Sequence, residues 1–126
     1  EAIIPGNEEI WLRQFLRCWN GQPFPEDAVQ EYVRCYRIPG TPGTGANYYR
    51  TMRDDAARWA GLTDHVWPMP ALYVYGDKDA VIVPEYLNHL EQCFADIRIE
   101  RIEAGHFLQE EQPARVAAIL NTFLTA

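Results

Sequence analysis

Two β-rich segments, each followed by a helical pattern, constrain the fold of the second half of this chain. The segment ALYVY at 71–75 is a continuous apolar run, which predicts a parallel strand buried on both faces. The segment DIRIERI at 96–102 alternates in polarity and predicts a second strand. Helical patterns begin at Pro84 and Pro113. The apolar residues predicted to face inward are Leu87, Leu90 and Phe94 in the first pattern. In the second pattern they are Val116, Ile119, Leu120, Phe123 and Leu124. This order predicts an α/β fold with two parallel strands.

The first half carries helical patterns only. A helix after Glu8-Glu9 and one opened by Pro25 are followed by the loop-like segment IPGTPGTG and by a third helix starting near 44–47. Their apolar stripes are Leu12, Phe15, Leu16 and Trp19; Val29, Tyr32, Val33 and Tyr36; and Tyr49, Met52, Ala56 and Trp59. We expect residues 1–64 to form a helical cap, or lid, and residues 65–126 to form the βαβα part.

Two parallel strands do not make a stable sheet by themselves, because such sheets need both faces and most edges covered. We therefore expect the βαβα part to be the end of a larger sheet. The remaining strands would come from a missing N-terminal half of the fold or from another chain.

Composition narrows the class of partner. The net charge of −7 and the pI of about 4.8 argue against nucleic acids and anionic membranes as partners. No run of 18 apolar residues and no signal-peptide pattern occurs, which predicts a soluble chain. The three cysteines, Cys18, Cys35 and Cys93, form no C-x-x-C pair, and we expect buried free thiols in the reducing cytoplasm. A Cys18–Cys35 disulfide is the less favoured alternative.

An acid and a base follow the two predicted strands. The first strand ends in GDKDAV and the second in EAGHFLQ, so Asp79 and His106 stand 27 residues apart on loops expected at one edge of the sheet. A carboxylate that holds one imidazole nitrogen leaves the other free to take a proton from water. Asp77 is an alternative acid, although it could equally cap the turn, and a Gly-His pair alone is usually an ordinary loop histidine. Glu110 and Glu111 are expected to favour the start of the last helix through its dipole.

The segments PALYVYGDKDAVIVP and IRIERIEAGHFLQEEQPARVAAILNTFL resemble the C-terminal end of α/β-hydrolases, within the epoxide hydrolase and dehalogenase branch. The resemblance implies that Asp79 is the acid and His106 the base of a catalytic triad. The segment NYYR at 47–50 resembles the lid motif of epoxide hydrolases, which implies that Tyr49 donates a proton. Tyr48 is the adjacent competitor, and a tyrosine on an apolar helical stripe is more often a core residue.

The nucleophile of this family is absent from these residues. The chain contains no serine and no G-x-[S/D/C]-x-G elbow. The resemblance therefore implies an upstream Asp that forms an alkyl-enzyme ester with a small hydrophobic epoxide or halogenated compound, and no cofactor or metal. The alternatives are a haloalkane or haloacid dehalogenase, a hydrolase with a serine elbow, and an inactive fragment with a structural or interaction role. We expect the 126 residues alone to be inactive.

Overall fold

The computed structural model describes residues 3–19 and 23–126, and the chain divides into two compact units. We call Glu1–Leu16 with Pro25–His65 the helical unit, and Arg17–Phe24 with Val66–Ala126 the sheet unit. Across the described residues, no helix combines the length and the apolar character that crossing a bilayer requires.

The helical unit is built from α1 (Glu8–Trp19), α2 (Glu26–Tyr36) and α3 (Thr41–Trp59). Its buried apolar residues are Ile4, Leu12, Leu16, Val29 and Val33. The last four were predicted from the helical periodicity of α1 and α2. Outside this core, the ring of Trp11 stacks on Phe15 and on Tyr36, with ring centroids 5.1 Å and 5.3 Å away. Aromatic stacking thus adds to the aliphatic packing between α1 and α2.

Helix α3 begins at Thr41, three residues before the predicted start, so the interpretation of residues 41–45 as loop was wrong. Gly40 adopts a positive φ of 91°, which ends the preceding turn, and Pro42 then occupies the first turn of the helix. No residue of α3 is buried. The stripe that contains Tyr49, Met52 and Trp59 is therefore exposed in this structure rather than packed in a core.

The sheet unit contains β1 (Trp67–Gly76) and β2 (Phe94–Ile102), which pair in parallel as predicted, with Ala71 opposite Ile97 and Gly76 opposite Ile102. Only the last two residues of β1 are buried. The prediction that the strand at 71–75 is buried on both faces is therefore wrong within the described residues. Within the described part of the chain, β2 is the only strand that pairs with β1. The other edge of β1 thus pairs with no strand among the described residues.

The elements between the strands differ from the predicted helix, whereas the last helix agrees with its prediction. Residues 84–94 do not form one helix, because a 3₁₀ turn at Pro84–Leu87 and a short α4 (Leu90–Cys93) are separated by His89, whose φ of 70° is not helical. Phe94 already belongs to β2. After α5 (Leu108–Glu111), helix α6 (Pro113–Leu124) begins where predicted.

One hydrophobic core holds the sheet unit together. It consists of Ile102, Ala104, Val116 and Ile119, with Leu72, Val74 and Leu108 packed against it. Leu120 and Leu124, predicted to be inward, are exposed, because the described residues place this core against only one face of α6.

Two cysteine side chains are described. Cys35 is half-buried and Cys93 is exposed, and both are free thiols. The expectation of buried thiols is thus wrong for Cys93, which ends α4 at the surface, whereas the side chain of Cys18 lies outside the described residues.

Candidate active site

Backbone hydrogen bonds beyond β1 and β2 hold together the two loops that carry Asp79 and His106. The N–H of Asp77 donates to the carbonyl of Ile102 over 3.0 Å, and the N–H of Lys78 donates to the carbonyl of Ala104 over 2.9 Å. Parallel pairing therefore continues for two residues past the end of β1. This continued pairing places the next residue, Asp79, beside the loop that contains His106.

Gly76 is required for this close approach. A Cβ built at Gly76 would lie 2.5 Å from the carbonyl oxygen of Ala104 and would also collide with the carbonyl oxygen of Gly105. Both obstacles are backbone atoms, which cannot rotate away as a side chain can. The loop of the base therefore passes directly over the end of the strand that leads to the acid.

The structure brings the side chains of Asp79 and His106 into hydrogen-bond contact. The Nδ1 atom of His106 lies 3.0 Å from Oδ2 and 3.2 Å from Oδ1 of Asp79. The Asp79 side chain is only 5% exposed, whereas the His106 side chain is 23% exposed. The arrangement thus has a buried acid and an imidazole that solvent still reaches.

Asp79 is held in its ionised form. Burial raises the pKa of its carboxyl group, but hydrogen bonds from the N–H groups of Ile82 and Val81, and from the His106 ring, together bring the pKa below its ordinary value. The two N–H groups donate to Oδ1 over 3.0 Å and 2.7 Å. An ionised carboxylate only accepts hydrogen bonds, so the proton between the two residues belongs on Nδ1 of His106. In a neutral His106 the Nε2 atom is then the unprotonated ring nitrogen.

Asp77, the alternative acid, is exposed, and its backbone N–H bonds to β2. The structure therefore brings Asp79, and not Asp77, to His106. Glu111 has a contact that the sequence did not reveal, because both of its carboxylate oxygens accept the N–H of Gly105, the residue before His106. The sequence predicted only that Glu111 favours the start of the last helix through its dipole. No motif links Glu111 to Gly105, so this contact could not be predicted.

Tyr49 lies on α3 of the helical unit and is 57% exposed. Its ring meets that of Tyr48 edge-to-face, with ring centroids 5.4 Å apart. Tyr36 is half-buried, and burial, followed by the nearby Tyr49, raises the pKa of its hydroxyl. The role of Tyr49 as a proton donor stays a prediction.

The described residues contain no group of three or more His, Cys, Asp and Glu side chains arranged to hold a metal ion. Within the sheet unit, the chemically competent groups at the ends of the strands are a carboxylate and an imidazole. Together they can take a proton from a water molecule.

Comparison with known proteins gives relatives of two activities. The chain is 28% identical over 123 residues to a soluble epoxide hydrolase from Corynebacterium sp., covering 89% of this chain and 40% of that enzyme. It is 27% identical over 114 residues to a haloalkane dehalogenase from Psychrobacter cryohalolentis, covering 81% of this chain and 33% of the relative. No family model matches the chain.

Among solved structures, Cfl2 from Burkholderia cenocepacia matches with a TM-score of 0.83 and 31% identity, over 98% of this chain and 42% of Cfl2. The chain thus spans less than half the length of each of these three proteins.

Proposed function

The chain belongs to the α/β-hydrolase family, in the branch of the epoxide hydrolases and haloalkane dehalogenases, and on that premise we propose that it hydrolyses an epoxide as part of a complete enzyme. The observation that carries this proposal is the hydrogen bond between Asp79 and Nδ1 of His106, the arrangement by which a carboxylate orients an imidazole base. The likeness to an epoxide hydrolase over 89% of the chain supports the choice of substrate class.

The proposed reaction has two steps. First, a carboxylate oxygen of an Asp outside these 126 residues attacks an epoxide carbon, the ring C–O bond breaks, and an alkyl-enzyme ester forms. The oxygen released from the ring takes one proton from the pair formed by Tyr49 and a second lid tyrosine, which leaves one tyrosinate. In the second step, Nε2 of His106 takes a proton from water, and the resulting hydroxide attacks the carbonyl of the ester. Release of the diol restores the Asp carboxylate, and the proton on His106 returns through solvent to the tyrosinate.

The His106–Asp79 pair serves the second step. When His106 becomes an imidazolium, the buried carboxylate beside Nδ1 stabilises the positive charge and keeps the ring in place. The depressed pKa of Asp79 favours this role, because the carboxylate stays ionised at neutral pH. The nucleophile is placed outside these residues because the chain has neither a serine nor a nucleophile elbow.

A dehalogenase is the second candidate, and the relative from Psychrobacter favours it. The ester and its hydrolysis would be the same, but the first step would release halide, which needs no proton donor. The exposed Tyr49 in an NYYR segment favours the epoxide. A structural or interaction role without catalysis is the third candidate, and a cytoplasmic location stays a prediction from the cysteines.

Turnover of epoxides and haloalkanes by the full-length protein, with matched aspartate variants, tests this proposal. Asp79→Asn should reduce kcat by roughly 10⁴-fold, because the neutral amide does not hold the productive tautomer of His106. Asp77→Asn removes the same charge two residues away at an exposed position and should leave kcat unchanged. Equal loss in both variants, or no hydrolysis of either substrate class by the wild type, would contradict the proposal.

A further inference from the structure

We infer that Glu111 is a positioning residue that holds the loop of His106 against Asp79. The two oxygens of its carboxylate lie 3.0 Å and 2.9 Å from the backbone nitrogen of Gly105, so one N–H is shared between both. Gly105 is buried and immediately precedes His106. The inference deepens the proposed hydrolysis, on which its kinetic part rests.

The peptide group between Ala104 and Gly105 is fixed at both ends. Its carbonyl, from Ala104, accepts the N–H of Lys78 over 2.9 Å, and its N–H, from Gly105, donates to Glu111. Lys78 is the residue before Asp79. A single peptide plane thus connects the loop of the acid, the loop of the base and the short helix α5.

The bond from Gly105 is a charge-assisted one, and such bonds are roughly twice as strong as neutral ones. The hydrogen bond also matters because Gly105 is buried, and a buried N–H without an acceptor lowers the stability of the fold. Without Glu111, the Ala104–Gly105 peptide could rotate to seek another acceptor. The backbone of His106 would rotate with it, and the 3.0 Å contact between Nδ1 and Asp79 would lengthen.

Glu111 therefore has a role distinct from that of the Lys78–Glu103 ion pair, which also spans the two loops. In that pair the side chains are 60% and 75% exposed, and exposed pairs contribute little to stability. Glu111 instead bonds a buried backbone group next to the base. Glu111 therefore influences ester hydrolysis only by fixing the orientation of His106.

The tautomer of His106 in the full-length protein tests the inference directly. With ¹⁵N-labelled histidine at about pH 8.5, where histidine is neutral, the wild type should show His106 as the Nδ1–H tautomer. The signal of His106 is identified as the one that is lost in His106→Gln. Glu111→Ala should give a mixture of Nδ1–H and Nε2–H forms. Glu111→Gln keeps an acceptor oxygen at the same length and should restore the Nδ1–H form, and Glu91→Ala, at an exposed position on α4, serves as the control.

Rapid-quench kinetics separate the two chemical steps. Glu111→Ala should slow ester hydrolysis roughly 10-fold to 100-fold, as expected for a displacement near 1 Å. It should leave ester formation unchanged, because His106 acts only in the second step. A lower melting temperature with an unchanged tautomer and an unchanged hydrolysis rate would reduce Glu111 to a purely structural role and overturn the inference. Absence of any ester in the wild type would contradict the proposed function instead, and the tautomer would still decide the role of Glu111.

Discussion

Replacing Gly76 by Ala perturbs the crossing of the two loops that carry Asp79 and His106 without changing either of these side chains. The added Cβ would lie 2.5 Å from the carbonyl oxygen of Ala104 and still nearer to that of Gly105, and ordinary contact begins at 3.4 Å, so the loop must move by at least about 0.9 Å. Two effects on stability oppose each other. Alanine restricts the unfolded chain and contributes roughly 0.4–1 kcal/mol, whereas overpacking costs roughly 1–3 kcal/mol. The obstacles are backbone atoms, so the second effect should win, with a net loss of about 1–2 kcal/mol.

The same displacement should affect catalysis more than stability. The Ala104 carbonyl belongs to the Ala104–Gly105 peptide, so His106 moves with it, while Asp79 stays tied to the end of β1 by the bond from its N–H to the carbonyl of Gly76. A misplacement near 1 Å costs on the order of 10²-fold in rate. We therefore expect Gly76→Ala in the full-length protein to lower the rate of ester hydrolysis by about that factor.

Denaturant unfolding and single-turnover kinetics measure the two effects. Gly61→Ala is the matched control, since its Cβ would lie 3.4 Å from the carbonyl of Arg58, which is an ordinary contact. That variant should keep the hydrolysis rate, and its free energy of unfolding should equal or slightly exceed that of the wild type, because alanine restricts the unfolded chain. If Gly76→Ala were as stable and as active as Gly61→Ala, the crossing of the two loops would not set the geometry of the site.

Two further predictions concern the lid and the acid. Tyr49→Phe should slow epoxide opening by roughly 10²–10⁴-fold in pre-steady-state measurements, and less if a second tyrosine compensates; an unchanged rate would remove Tyr49 from the mechanism. Because the folded-state pKa of Asp79 lies below its unfolded value, its contribution to stability is present above about pH 4 and is lost as the pH falls through the folded pKa. The acid dependence of the free energy of unfolding should accordingly be shallower in Asp79→Asn than in the wild type, and identical curves would show that Asp79 is not linked to folding.

Local periodicity predicted much of the fold, because the relevant interactions repeat along the chain. The parallel strands follow from an apolar run and an alternating run, and the inward positions Val29 and Val33 follow from helical spacing. The start of β1 was missed, since Pro70 looked like a boundary. At an unpaired edge, proline removes no hydrogen bond that the sheet needs, so the strand extends back to Trp67.

Features that depend on tertiary contacts could not be predicted from the sequence. His89 leaves the helical region although its neighbours continue a helical pattern, and the pattern alone contains nothing that marks this break. The exposed Leu124 follows the periodicity of α6, but periodicity does not say whether a second layer exists to cover it. At the candidate site, the resemblance to α/β-hydrolases indicated Asp79 and His106, both on loops after the predicted strands. The carboxylate of Glu111 instead reaches Gly105 through a turn that no motif describes.

Trapping of the alkyl-enzyme ester in His106→Gln tests most directly the claim that the His106–Asp79 pair hydrolyses such an ester. The full-length variant is mixed with an epoxide, and the intact mass of the protein is followed over time. We predict that the protein gains the mass of one substrate molecule and keeps it, whereas the wild type shows the ester only transiently and releases diol. His89→Gln, an exposed histidine of the same unit, should behave as the wild type. Release of diol by His106→Gln at the wild-type rate would contradict the account.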